Sequence, residues 1–162
     1  MGLVVAFWIL AVVAIIAALA VITLRNVFHA ALALVSCFLM VAGLYITLSA
    51  DFLAAVQILV YVGAISVIII LAIMMTRDVQ RGSPANKLQF PAFLVVIVFL
   101  VVVVYAVMRT PWPVTGGAPL TPTTGPLALQ LFGEGGYILP VEIAAVMILA
   151  AIIGAIVIAR EK

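Results

Sequence analysis

Five stretches of this chain run for more than twenty residues with apolar side chains at nearly every position: 3–24, 27–50, 52–76, 88–108 and, admitting Glu142, 138–159. A helix on a soluble protein alternates an apolar stripe with a polar back, whereas a helix apolar all round lies in a medium without water. About 20 residues of helix cross the hydrocarbon of a bilayer. The pattern therefore predicts an all-α integral membrane protein with five transmembrane helices, in a single membrane domain over 1–162. The links between spans are RN, SAD, RDVQRGSPANK and a long segment over 109–137. Pro111, Pro113, Pro119, Pro122 and Pro126 stud that last link among glycines and threonines. It reads as a non-helical outer loop lying across neighbouring protein, with Leu127 to Phe132 as a short interfacial turn.

The third span departs from the pattern, because Gln57, Tyr61, Gly63 and Ser66 sit near its middle. In hydrocarbon each polar group must find a partner inside protein, so this helix is expected to be packed against others. At about 100° per residue, Ala54, Gln57, Tyr61 and Ala64 share one stripe, and Gly63 and Ser66 fall on the far side. Two readings stand side by side. Gln57 and Tyr61 border a hydrated path, or they satisfy one another and adjacent helices. Gly63 also has two readings. It weakens the helix by about 1 kcal/mol relative to alanine, which favours a π-bulge, or it allows close helix packing without one. Neither Gln57 nor Tyr61 titrates near neutral pH, so neither is a proton donor by itself.

Charge sets an expected orientation. Seven basic and five acidic residues leave a net charge of +2. Span parity puts Arg25, Arg77, Arg81, Lys87, Arg160 and Lys162 on one side and only Arg109 on the other. By the positive-inside rule the first side is cytoplasmic, with the N-terminus outside and the C-terminus cytoplasmic. Ala18, Leu19 and Ala20 resemble a small-x-small cleavage site, yet nothing basic precedes Arg25, so 3–24 reads as a retained span and not a signal peptide. The composition, 69% hydrophobic and 7% charged, excludes an ordinary soluble enzyme, and no basic run indicates nucleic acid. Cys37, the lone cysteine, can build neither a disulfide framework nor a thiolate metal site.

The remaining polar residues are sparse. Asp51 follows a turn and reads as a helix N-cap. Glu142 follows Pro140 and is expected in the first turn of the last helix, where the dipole favours a carboxylate, with a candidate polar cluster of Glu142 and Asp51 near the outer face. His29 follows the candidate cap Asn26 and reads as interfacial, and Trp112 and Tyr137 suit headgroup depth. Ala150 and Gly154, Ala151 and Ala155, and Ala155 and Ala159 form small-residue pairs at four-residue spacing. No Ser/His/Asp set, metal-ligand pair or phosphate loop is present, and no internal repeat suggests a transporter.

The segment DFLAAVQILVYVGAISVIIILAIMMT, with VFHAALALV before it and LPVEIAAVMILAAIIGAIVIARE at the end, resembles the J subunit of bacterial NADH:quinone oxidoreductase, respiratory complex I, called subunit 6 in mitochondria. The likeness covers all five spans. It implies an N-out, five-helix membrane-arm subunit of the bacterial plasma (inner) membrane, coupling quinone reduction to proton translocation. Such a subunit has no catalytic centre and binds no cofactor of its own, while the complex uses NADH, FMN, iron-sulfur clusters and quinone. The implied partners are the quinone-site, small three-helix and antiporter-like membrane subunits. The implied switch is a π-bulge on the third helix, over Tyr61, Val62, Gly63, Ala64 and Ser66 with Gln57 beside it, which gates a hydrated path. Some relatives carry glutamate where this chain has Gln57, which weakens any claim of a titrating group on this helix. A rival assignment is a membrane subunit of a related cation/proton antiporter or membrane-bound hydrogenase.

Overall fold

The computed structural model describes residues 1–76, 88–112 and 122–160. The basic link with Arg77, Arg81 and Lys87, the prolines Pro113 and Pro119, and Lys162 lie outside the described residues. All the regular structure among the described residues is helical: α1 (Gly2–Thr23), α2 (Val27–Thr47), α3 (Asp51–Met75), α4 (Gln89–Arg109), α5 (Thr124–Phe132) and α6 (Ile138–Ala159). Five of these, all but α5, are long and apolar enough to cross a membrane.

Short-range chemistry sets the helix ends. Asn26 accepts hydrogen bonds through Oδ1 from the backbone N–H groups of Phe28 at 3.0 Å and His29 at 3.4 Å, which starts α2 directly after the Arg25 turn. α2 stops at Thr47, three residues short of the expected 27–50, because the chain turns through Ser49 at φ 58°. The N-cap expected of Asp51 is not seen. Ala50 holds the cap position without a side-chain bond, and Asp51 is the first helical residue, where its carboxylate still faces the positive end of the helix dipole.

The long outer link was expected to be non-helical, and α5 corrects that over Thr124–Phe132. Pro126 is its third residue, inside the first turn, where the missing N–H has no helical partner to lose. The helix ends at Gly133, where a Cβ would run into the Leu129 carbonyl, and Gly135 follows at φ 78° to turn the chain into α6. α6 begins at Ile138, two residues before Pro140, for the same reason that α5 accepts Pro126. Glu142 is therefore the fifth residue of α6 and not in its first turn, so the dipole argument made for it weakens.

α1, α2 and α3 form the packed unit. Its interior holds small side chains, with Ala14, Ala17, Ala31, Ala42 and Ala54 all buried. Where α1 crosses α2, Gly43 leaves room for Leu10, whose Cδ1 would lie 3.0 Å from any Cβ placed there. The Cys37 thiol donates to the Ala14 carbonyl at 3.7 Å across the same seam. Close backbone approach with such weak polar ties is how helices associate in lipid, where burial from water contributes nothing between them. α2 then packs along the whole length of α3. By contrast, among the described residues α4 packs substantially on no other helix, and α6 does so only on α5.

Candidate functional site: the wide turn of the third helix

α3 is not one regular helix. An α-helical start, Asp51–Val56, passes into a π-helix over Gln57–Ile65 and returns to α-helix over Ser66–Met75. The π-helical pattern bonds each N–H to the carbonyl five residues back, and it occurs mostly as single turns at functional sites. Here it covers nine residues and begins four residues before Tyr61. At its end the Ser66 N–H reaches the Tyr61 carbonyl, and the Ser66 hydroxyl donates to that same oxygen at 2.6 Å. A side chain thus supports the carbonyl at the point where the ladder changes register.

The wide turn changes which residues share a face. Nine steps separate Gln57 from Ser66, which in a regular α-helix sets them about 180° apart. A turn of about 4.4 residues advances about 82° per step, so nine steps return to within about 20° of the start. Gln57 and Ser66 are in fact both buried, at 7% and 2% exposed, on a helix whose only other buried residue is Ala54. The expectation that Ser66 lies on the far side from Gln57 is corrected for that reason. Uniform 100° spacing cannot anticipate a change of helix type within the span.

Around Gln57 the contacts run to α2. Its Nε2 donates to the Phe38 carbonyl at 3.4 Å, a long bond. The Phe38 ring meets the Tyr61 ring edge to face, with centroids 5.6 Å apart and planes at 67°. Below them lies a notch of about 140 Å³ lined by Tyr45, Phe52, Leu53, Val56, Gln57 and Tyr61. At about 30 Å³ per water, it has room for about four molecules. Tyr45 and Phe38 were missed in the sequence. Tyr45 carries a polar signal near the end of the second span, but nothing about Phe38 marks its carbonyl as an acceptor.

The other expected site residues divide. Val62 is half-buried, while Gly63 and Ala64 are exposed on the side of α3 away from that seam. Among the described residues a Cβ at Gly63 would meet only the Ile58 carbonyl, at 3.4 Å, so there the glycine does not serve close packing between helices. Asp51 and Glu142 stand near the starts of α3 and α6, both exposed. Among the described residues no three His, Cys, Asp and Glu side chains are grouped to hold a metal ion.

Fold and site together define a multi-pass membrane protein with a polar, π-helical turn inside one of its spans. The chain belongs to the NADH-ubiquinone/plastoquinone oxidoreductase chain 6 family, whose pattern it matches over residues 17–158. It is 36% identical over 162 residues to the NAD(P)H-quinone oxidoreductase chain 6 of Leptolyngbya boryana, covering 98% of this chain and 80% of that one. It is 37% identical over 160 residues to the F(420)H(2) dehydrogenase subunit J of Methanosarcina mazei, covering 96% and 90%. The NAD(P)H-quinone oxidoreductase chain 6 of a Synechocystis strain is 39% identical over 161 residues, covering 97% and 80%.

Proposed function

We propose that this chain is a membrane-arm subunit of a proton-translocating quinone oxidoreductase of the complex I type, and that α3 acts as its gate. The observation that carries this reading is the π-helical turn Gln57–Ile65, whose amide and phenol line a notch large enough for water. A helix with an i−5 ladder can return to i−4 bonding by a register shift, which rotates everything beyond it by about 100°. Such a shift would carry Ser66 off the α2 seam and move Tyr61 relative to Gln57. Water in the notch would gain or lose its partners together, so the hydrated path opens or closes without any residue of this helix changing charge.

Electron transfer belongs to partners in this reading. Cys37 alone cannot hold an iron-sulfur cluster, and this reading assigns NADH, FMN and quinone as well to other subunits of the complex. Relatives whose names specify different donors, NAD(P)H in one case and F(420)H(2) in another, fit a subunit that does not touch the donor. The quinone-site, small three-helix and antiporter-like subunits are the proposed neighbours. The proposed setting is a bacterial plasma membrane, with the N-terminus outside and 77–87 cytoplasmic. The cation/proton antiporter alternative draws no support from the relatives' names.

The test is Gly63→Val in the assembled complex. A β-branched side chain at the wide turn restricts its rotamers and favours one register. Electron transfer to an artificial acceptor and assembly should persist while quinone-linked proton pumping falls. A Gly63→Val complex that pumps like the parent would overturn the gate.

A further inference from the structure

Beyond the wide turn, α3 presents a single stripe of less exposed side chains. Ser66 is buried at 2% exposed, and among the described residues only Ala42, at 1%, is covered more completely. Ile69, Ile70 and Ile73 follow it, half-buried, at the three- and four-residue spacing of one α-helical face. Every other side chain from Val67 to Thr76 is exposed. This part of α3 packs on α2, so the stripe is its share of the seam.

Returning the wide turn to i−4 bonding rotates this part of the helix by about 100°, the angle of one residue. Each place on the stripe then passes to the residue before it: Ile65, Ile68, Ile69 and Ala72. At two of the four places isoleucine replaces isoleucine, because 68, 69 and 70 are all isoleucine. At the far end alanine replaces isoleucine, which loosens the seam. Only at the first place does a larger side chain enter, where Ile65 takes the seat of Ser66. A seat that covers a serine almost completely has no room for the added carbons, and overpacking of that kind is destabilising.

The Ser66 hydroxyl does not choose between the registers. In the π-helical one it donates to the Tyr61 carbonyl, five residues back. In regular helix Thr23, Ser36, Thr76 and Thr110 each donate to the carbonyl four residues back, at 2.7 to 3.1 Å. Val62 offers Ser66 the same kind of partner after the shift. The hydroxyl thus stays satisfied on both sides of the change, as a span in hydrocarbon requires. Side-chain volume is what differs.

We propose that the later half of α3 is built to slip by one residue against α2, and that the pair Ile65 and Ser66 sets its resting register. The small serine seats the π-helical register, the isoleucine keeps the α-helical one in the minority, and the run of isoleucines makes the rest of the seam indifferent. The inference rests on reading α3 as the gate, and it makes Ser66 a positioning residue of that gate.

The experiment reads the register directly, by electron cryo-microscopy of the assembled complex in lipid nanodiscs, parent and variants frozen under the same turnover conditions. Particles are sorted by whether the Tyr61 carbonyl meets the N–H of position 66 or of position 65. Ile65→Ala removes the bulk that blocks the α-helical register, and the ratio of α-helical to π-helical particles should rise about tenfold. The double variant Ile65→Ser with Ser66→Ile moves the small seat back by one residue and should make the α-helical register the major one. Ser66→Ala keeps the seat small and should leave the ratio within about threefold of the parent, the size of its helix-propensity difference. No rise in the α-helical fraction with Ile65→Ala would overturn the proposal, as would a double variant that keeps the parent's ladder. Ser66→Ala shifting the ratio as far as the double variant would overturn it too, because the hydroxyl would then set the register. Should the double variant fail to assemble, Ile65→Ala decides, since Ile65 lies off the seam in the resting register. Proton pumping is measured on the same preparations. An inverted register with pumping at the parent's rate would uphold this inference and remove the gate, whereas an unmoved ladder would remove the inference whatever the pumping rate.

Discussion

The α1–α3 unit and the pair α4 and α6 are made of nearly the same material and behave differently. Mean hydropathy is 3.1, 2.3 and 2.9 for α1, α2 and α3 against 3.0 and 2.8 for α4 and α6, so apolar character does not separate them. Yet the first three interlock, and among the described residues neither of the others has a buried one. The difference is the placement of small side chains. Ala14, Ala17, Ala31 and Ala42 are buried within the packed unit and Gly43 lies against Leu10 of α1, whereas α4 is a run of valine, leucine and phenylalanine. α6 does carry small residues, but among the described residues a Cβ on Gly154 would meet nothing within 4 Å, so no described helix packs on it there. In lipid, helices join where backbones can approach, and this chain spends its small residues on one internal seam and one outward face.

The comparison breaks most visibly at Ala42, which is 1% exposed. Ala42→Leu should overpack the seam at a cost of about 1–3 kcal/mol and sharply reduce the chain's abundance in membranes. Val101→Leu on α4 should leave abundance unchanged. Equal abundance for the two, measured by quantitative immunoblot of membrane fractions, would show that the packed unit is no more constrained than the splayed helices.

A second, smaller effect is expected at the polar tie between α2 and α3. Gln57→Leu removes the bond to the Phe38 carbonyl and makes the notch apolar. Hydrogen bonds between membrane helices are worth about 0.6 to 2 kcal/mol, so the complex should still assemble. Proton pumping should fall about tenfold if dewetting the notch raises the barrier by about 1.4 kcal/mol. Pumping by reconstituted vesicles at the parent's rate would place the water path elsewhere.

These two regions also mark where the sequence was legible. Hydropathy located all five spans, and the last was placed within a residue, because unbroken apolar runs leave no other assignment. The Asn26 cap was readable from one side chain and its spacing. The wide turn was legible as a weak point at Gly63, but not in its extent, since a π-helix from Gln57 to Ile65 depends on α2 receiving Gln57 and Ser66 together. α5 was hidden by its prolines and glycines, which mark helix ends as readily as loops. The expected start of the last span at 138 already made Glu142 its fifth residue, and only the habit of proline at the first helical position placed it in the first turn.

On the outward face the contrast sharpens through Gly154. Among the described residues a Cβ at Gly154 meets nothing within 4 Å, so in Gly154→Leu the packed unit should be unaffected and the chain should reach the membrane at parental level. If the open stripe is covered by another subunit, the same change should lower the yield of assembled complex, read by native gel. A normal yield would mean that α6 faces lipid there.

The smallest expected effect is at Glu142. Its position beyond the first turn removes most of the helix-dipole stabilisation, which falls off within that turn, and its side chain is exposed. Removing its charge should therefore change stability by no more than about 0.5 kcal/mol. Glu142→Gln keeps the shape and the hydrogen-bonding oxygen, so the complex should assemble and retain most of its quinone-linked proton pumping. The gate proposed on α3 requires no titrating group, and a carboxylate far along the chain from the wide turn has no part in it. A fully assembled Glu142→Gln complex that oxidises its donor but pumps no protons would reverse the comparison: the splayed α6 would then hold the proton-transfer group, and the packed α1–α3 unit would be its scaffold.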